Sequence, residues 1–174
     1  MSNREEIKRK HERAVADHLL EALKIGTKLE RFGDPKNQEP DVIYKIDGRN
    51  VGVEVATAYY ENSDAKDQWE IAAGERPLAA GERRPRSAGV IANPDKLICE
   101  KVQAELNDKC GRRYAGTDEM WLCINQQAPL SDAKSVEQCV KKLKIPPGHK
   151  FTRIYLTYTA PLGEGGGYTV VKIC

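Results

Sequence analysis

Long apolar runs are absent from the 174-residue sequence, and this absence argues against a protein that spans a membrane. The N-terminal residues, Met-Ser-Asn-Arg-Glu-Glu, are charged and lack the apolar segment of a secretory signal, so we expect a cytoplasmic protein. The hydrophobic and charged fractions, 40% and 31%, are those of a soluble globular protein, and the length fits one domain over residues 1–174.

Cysteine pairs at metal-binding spacing are absent as well. The sequence contains no Cys-x-x-Cys pair, which argues against a zinc site. Because no secretory signal is visible, we predict that the thiols are reduced and occupy core or helix positions. The five cysteines are Cys99, Cys110, Cys123, Cys139 and Cys174.

Neither an excess of one charge nor a common hydrolase motif is present. The 28 basic residues nearly match the 26 acidic residues, so any binding of nucleic acid has to come from a local patch. The glycine-rich stretch 163–167 lacks the Lys-Ser/Thr pair and helix of a phosphate-binding loop, and it predicts a hairpin connection. No Ser-His-Asp or Cys-His arrangement is visible, which leaves an unrelated small α/β enzyme as a hypothesis without supporting residues.

What the sequence does contain is a pair of short apolar stretches, 39–44 and 51–56, on either side of an Asp-Gly turn at 47–50. This pattern predicts a β-hairpin. Each strand carries one acidic residue, Asp41 at the start of the first and Glu54 within the second. Antiparallel pairing brings such residues within reach of one ion, and two carboxylates suit a hard divalent cation such as Mg²⁺.

The order Pro40-Asp41, a strand and turn, and then Glu54 in an apolar strand resembles the PD-(D/E)xK nuclease superfamily, which has the restriction-endonuclease-like fold. The resemblance implies a metal-dependent nuclease that hydrolyses phosphodiester bonds in DNA. It implies that Asp41 and Glu54 are catalytic and hold Mg²⁺ or Mn²⁺, with the backbone carbonyl of Val55 as a further ligand. Ala56 stands where the family has its motif lysine, which is a departure from the pattern.

Another residue has to take the role of that lysine, which positions or activates the attacking water in the family. A helix is predicted to begin at Asn93-Pro94 and to end at Gly111. Lys109 lies on or beside the face of this helix that packs on the sheet, and we assign it the catalytic role. Lys45 and Lys101 are rival candidates.

Glu12 is the position that matches the acidic residue that often completes the metal site from the first helix of these nucleases. It lies at the edge of the apolar stripe of a helix predicted over residues 4–24. Burial of a carboxylate at such an edge is costly unless the group is paired or metal-bound. The alternative is an exposed glutamate that pairs with Lys8 or Arg9.

The most basic segment is a long loop predicted over residues 74–89, which is rich in glycine, proline and arginine. Such a loop is suited to contacts with the phosphates of nucleic acid, and the alternative is a solvated loop without a specific role. The four candidate DNA-binding residues in it are Arg76, Arg83, Arg84 and Arg86.

The predicted order of elements agrees with the family over residues 4–125. It indicates an α/β fold with a restriction-endonuclease-like core, in which a mixed β-sheet in αβββαβ order is flanked by helices. Residues 26–35 are predicted as a loop. After the hairpin we predict a brief strand at 90–91, the helix 93–110, a buried strand 118–125, a helix 132–143, a strand 151–158 and an edge strand 168–173.

Two alternatives remain open on the sequence alone. Ala56 also fits a catalytically inactive protein that keeps the nuclease fold and binds nucleic acid or a protein partner. The residues do not distinguish DNA from RNA as the substrate, and a homodimer is an open alternative to a monomer.

Overall fold

The computed structural model describes residues 3–59, 93–126, 133–159 and 168–174, and within these ranges the chain is an α/β protein with one mixed sheet. The predicted α/β class is therefore confirmed. The described helices are α1 (Asn3–Ala22), α2 (Pro94–Cys110) and α3 (Ala133–Lys142). The described strands are β1 (Leu29–Phe32), β2 (Val42–Ile46), β3 (Arg49–Ala58), β4 (Glu119–Gln126), β5 (Arg153–Thr159) and β6 (Tyr168–Lys172).

The basic loop predicted at 74–89 and the brief strand predicted at 90–91 lie outside the described residues. The four candidate DNA-binding arginines in that loop stay predictions for the same reason. In the part of the chain that the structure does describe, no helix is long and apolar enough to cross a membrane.

The six strands follow one another in chain order across the sheet. β3, β4 and β5 are parallel, whereas β1, β2 and β6 are antiparallel to their neighbours. The central strand β4 is buried over nearly its whole length, which confirms the prediction of a strand covered on both faces.

The predicted hairpin is present as β2 and β3. Asp47 and Gly48 both have positive φ, as the tight turns that join twisted antiparallel strands require. β2 pairs with β3 only as far as Val42 opposite Val53, so residues 54–58 of β3 extend beyond the end of β2. This extension forms one wall of the candidate site.

The prediction of a loop over residues 26–35 is wrong, because this segment contains β1. Phe32 lies opposite Val42, and the antiparallel strands β1, β2 and β3 form a meander that begins before the hairpin. β1 is four residues long and its central pair, Glu30 and Arg31, is exposed. A short edge strand of this kind has too few inward apolar residues to show a strand pattern in the sequence.

Helices cover the sheet on both faces, and the alternation of side chains along β3 assigns its residues to one layer or the other. Val53 and Val55 pack with α1, while Ala56 and Ala58 pack with α2. Glu54 therefore projects to the same side as Ala56, toward α2. The main residues of the α1 layer are Val15, Leu19, Tyr44, Trp121 and Tyr155, and those of the α2 layer are Ile98, Val102, Leu106, Leu122 and Leu156.

The prediction that all five cysteines are reduced is wrong for one pair. Cys99 of α2 and Cys139 of α3 form a disulfide, with Cα atoms 5.5 Å apart. The two residues are 40 positions apart, and only the packing of α2 against α3 brings them together. Cys110, Cys123 and Cys174 are free thiols, as predicted.

Candidate functional site

Five charged side chains come together beside the N-terminal end of β2. We call them the carboxylate–lysine cluster: Lys8 and Glu12 of α1, Asp41 just before β2, Glu54 of β3, and Lys109 of α2. Glu12 and Glu54 are buried and Asp41 is half-buried, and each carboxylate influences the pKa of at least one other member. Three of the four residues that the sequence assigned to the metal, together with the assigned lysine, therefore meet in space.

Glu54 lies at the centre of the cluster and its side chain faces α2. It is 4% exposed, and its Oε1 atom accepts a hydrogen bond of 2.7 Å from the Lys109 ammonium. Burial raises the pKa of Glu54, the negative charge of Asp41 raises it further, and Lys109 opposes both. A buried carboxylate of this kind is far from an ordinary exposed strand residue, so the structure places Glu54 in an interior charged site.

Asp41 is held at the edge of β3 that β2 leaves uncovered. Its Oδ2 atom accepts a hydrogen bond of 2.9 Å from the Val55 N–H. Burial, followed by the charge of Glu12, raises the pKa of Asp41 to about 6, and the Val55 hydrogen bond works in the opposite direction. The Asp41 side chain therefore contacts β3 within the site and is not a solvated turn residue.

The backbone before β2 fixes the position of Asp41. Glu39 makes a bidentate ion pair with Arg31 of β1, with N–O distances of 2.5 and 2.6 Å. Gly33 donates a backbone hydrogen bond of 3.1 Å to the carbonyl of Asp41. Pro40 lies against Gly52 of β3, where a Cβ atom would collide with its ring. The glycine thus lets the chain cross closely over the sheet and brings Asp41 opposite Glu54.

The carbonyl of Val55 is directed toward the same edge. In an extended strand the N–H and C=O of one residue point to the same side, as they do when two residues exchange both bonds in an antiparallel pair. The Val55 N–H points at Asp41. The Val55 carbonyl therefore points to the edge of β3 that β2 does not cover, which is the edge where Asp41 lies. A ligand role for this carbonyl requires that direction.

Glu12 approaches from α1 and is only 7% exposed. Its Oε1 atom is 3.1 Å from the Lys8 ammonium one helical turn earlier. Burial is the largest cause that raises the pKa of Glu12, Lys8 lowers it, and the charge of Glu54 raises it. The alternative for Glu12 was an exposed glutamate that pairs with Lys8 or Arg9. The pairing with Lys8 is present, but the predicted exposure is wrong.

Of the three lysines considered for the missing motif position, only Lys109 contacts Glu54 in the structure. Its side chain is 12% exposed and extends from the last turn of α2 toward the sheet. Lys45 lies on the exposed side of β2 and its ammonium is 3.4 Å from the Asn50 side chain. Lys101 lowers the pKa of Glu105, which is a residue of α2 itself. Ala56 is 4% exposed and packs in the α2 layer.

Sequence reasoning missed two groups that border the site. Lys8 was considered only as a partner for Glu12, although its spacing of four residues was visible. Tyr114, in the loop after α2, lies beside Glu54: burial and then that charge raise the pKa of the tyrosine above its ordinary value. Its hydroxyl is buried and makes no hydrogen bond of good geometry with any described residue. No sequence pattern marks a loop tyrosine of this kind.

The donor chemistry of the cluster fits a hard divalent cation. Asp41, Glu54 and the Val55 carbonyl offer only oxygen ligands, and Mg²⁺ is commonly held by one or two carboxylates together with waters and substrate phosphate. No group of three or more histidine, cysteine, aspartate or glutamate side chains among the described residues is arranged to hold a metal. The fit therefore rests on two carboxylates and a strand carbonyl, and Glu12 stays a predicted ligand.

A second feature of the surface is an open depression of about 900 Å³ near the C-terminal end of α1. Arg13, Asp17 and Lys24 line it, and Asp17 is engaged by Arg13 and by the Tyr44 hydroxyl. These contacts support the packing of α1 on the sheet. The depression shares no residue with the carboxylate–lysine cluster, which is the better candidate on chemical grounds.

Comparison with known proteins gives no match: no protein family, no curated protein and no solved structure is significantly similar to this chain.

Proposed function

We propose that the protein is a metal-dependent nuclease of the PD-(D/E)xK type, which hydrolyses phosphodiester bonds in DNA and has a restriction-endonuclease-like core. The observation that carries this proposal is the contact between Lys109 and Glu54 at 2.7 Å. In this contact a lysine ammonium lies beside Glu54, the glutamate of the motif, although Ala56 occupies the usual position of the motif lysine. The order α1-β1-β2-β3-α2-β4 of the described elements supports the same conclusion.

Asp41, Glu54 and the Val55 carbonyl would hold the Mg²⁺ or Mn²⁺ ion, and Glu12 would be a third carboxylate ligand. A bound ion of this kind lowers the pKa of a coordinated water and polarises a phosphoryl oxygen. Burial is the largest cause that raises the pKa of each of the three carboxyls, and a bound cation would favour their charged forms, which supports the assignment.

Lys109 would act on the reacting groups from the α2 side. Its ammonium is nearly buried, so its charge is weakly screened and acts strongly on a phosphate or a water next to Glu54. In the present arrangement it neutralises Glu54. Val55 orients Asp41 through its N–H, and Ala56 packs in the α2 layer on the same face of the sheet as Glu54.

The test combines metal binding with cleavage. Calorimetry with Mn²⁺ should show binding to wild type that Asp41→Asn and Glu54→Gln each weaken at least tenfold, because each variant removes one charged oxygen ligand. The same variants should fail to cut plasmid or linear DNA in Mg²⁺. Glu119→Gln is the matched control, since Glu119 is an ion-paired carboxylate of β4 that contacts Arg153 outside the cluster.

A second candidate is a catalytically inactive protein that keeps the nuclease fold and binds nucleic acid or a protein partner. The burial of Ala56 in the α2 layer favours it, because no lysine is available on β3 itself. Metal binding that Asp41→Asn does not change, combined with no cleavage in any metal, would support this candidate against the nuclease. DNA as the substrate, rather than RNA, is part of the proposal and is tested by presenting both.

A further inference from the structure

The two lysines of the carboxylate–lysine cluster differ in their access to solvent. The Lys109 side chain is 12% exposed and is engaged with Glu54 inside the site. The Lys8 side chain is 62% exposed, while its ammonium lies 3.1 Å from Glu12. Of the two lysines of the cluster, Lys8 is therefore the one that is accessible to a large anion approaching from solvent.

The charge of Lys8 also acts on the centre of the site. Asp41 and Glu54 both raise the pKa of Lys8, which shows that the ammonium lies within electrostatic range of the two central carboxylates as well as of Glu12. The cluster has three carboxylates and two ammonium groups. Before a metal ion binds, the carboxylates outnumber the ammonium groups, and an accessible cation lessens the repulsion of a phosphodiester backbone.

We infer that Lys8 is a substrate-positioning residue, whose ammonium binds a phosphate oxygen of the nucleic acid backbone beside the bond to be cut. The inference rests on the proposed function and adds a residue that the motif does not contain. Lysine presents a compact charge on a flexible stem, so its ammonium can exchange Glu12 for a phosphate without a movement of α1. Such contacts give affinity and register but no sequence preference.

The same helix supplies a matched control. Lys10 pairs with Glu6 at 2.7 Å, and its side chain is 71% exposed. Lys8→Ala and Lys10→Ala each remove one exposed lysine and one ion pair between residues four apart on α1. The net charge changes equally in both variants, although Lys8→Ala leaves the buried Glu12 without this partner and Lys10→Ala leaves the exposed Glu6 without its partner. Only Lys8 borders the cluster, and a difference between the variants in the salt dependence of DNA binding reports its contact with a phosphate.

The experiment measures binding of fluorescent double-stranded DNA in EDTA across a salt series, and steady-state cleavage in Mg²⁺, for wild type and both variants. Lys8→Ala should bind roughly tenfold more weakly at low salt and reduce the slope of log K against log salt by about one. It should raise KM by a similar factor with little change in kcat, and Lys8→Arg should restore binding. Lys10→Ala should match wild type.

The outcomes separate this inference from the proposed function. Cleavage by wild type with equal affinity and KM for Lys8→Ala and Lys10→Ala would overturn the role of Lys8 alone. DNA binding that Lys8→Ala weakens, without cleavage by wild type in any metal, would overturn the nuclease and support the phosphate contact. Wild type that neither binds nor cuts DNA would overturn both.

Discussion

The Lys109 ammonium lies 2.7 Å from the Glu54 carboxylate, although α2 and β3 contribute the two residues from positions 55 apart in the chain. The Glu54 side chain is buried and the Lys109 side chain is nearly so. A buried ion pair of this kind is not a strong source of stability, because desolvation offsets much of the attraction. The pair therefore contributes little net stability, and it lies beside two further carboxylates.

The close approach of Pro40 to Gly52 is expected to control the position of Asp41. A Cβ atom at residue 52 would meet Pro40, and it would lie 2.9 Å from Met120 Sδ. Gly52→Ala should therefore destabilise the protein by about 1–3 kcal/mol, a typical cost of overpacking, and should weaken Mn²⁺ binding because Asp41 shifts. Thermal melting and calorimetry measure the two effects.

Gly26→Ala is the control for that variant, since a Cβ atom at residue 26 would have nothing within 4 Å. It should leave both melting and metal binding unchanged. A Gly52→Ala protein with the stability and Mn²⁺ affinity of wild type would show that the contact between Pro40 and Gly52 does not set the position of Asp41.

The Arg31–Glu39 pair predicts a loss of stability in acid. Hydrogen bonds from Arg31 and from the Asp34 N–H lower the pKa of Glu39 to about 2 from its ordinary value near 4.5. The folded state therefore holds this proton more weakly than the unfolded state. The contribution of Glu39 to stability is present above about pH 4.5 and is lost as the pH falls toward 2.

Urea unfolding of Glu39→Gln between pH 7 and pH 2 tests this. The variant should be less stable than wild type at pH 7, and the difference should shrink below pH 4.5. Glu137→Gln, which changes an exposed residue of α3, should follow wild type throughout. A difference that stays constant across the whole range would show that the Glu39 carboxylate is not held in its charged form by Arg31.

The disulfide between Cys99 and Cys139 should stabilise the packing of α2 against α3. Cys139→Ser is expected to lower the free energy of unfolding by about 2–4 kcal/mol, the range typical of a native disulfide. A dithiol reductant should lower the melting temperature of wild type and should have no further effect on the variant. Cys174→Ser, which removes a free thiol, is the control. Insensitivity of wild type to the reductant would mean that the thiols are reduced, as the sequence predicted.

The sequence predicted those features that depend on neighbouring residues. The Asp-Gly turn and the alternation of valines in β3 indicated the hairpin, and Asn93 and Gly111 marked the ends of α2. The place of Asp41 before the hairpin and of Glu54 within it followed from the same pattern. The position of Lys109 beside the sheet followed from helical spacing, and its contact with Glu54 is visible only in the structure.

The sequence did not predict what depends on packing between distant segments. β1 is too short and exposed to show a pattern, and it is recognisable as a strand only because Phe32 pairs with Val42. The burial of Glu12 depends on how α1 lies across the sheet. The disulfide depends on the contact of α2 with α3, and Tyr114 reaches Glu54 from a loop without periodicity.

The role proposed for Lys109 is that of the motif lysine in a metal-dependent nuclease. Its most direct test is the rate at which wild type, Lys109→Ala and Lys101→Ala cut plasmid DNA in Mg²⁺, Mn²⁺ and EDTA, with each variant checked for folding by circular dichroism. We predict cutting that requires the metal, a loss of about 10²- to 10³-fold in Lys109→Ala, and a rate near that of wild type in Lys101→Ala. Full activity of a folded Lys109→Ala protein, or cutting that persists in EDTA, would contradict this claim.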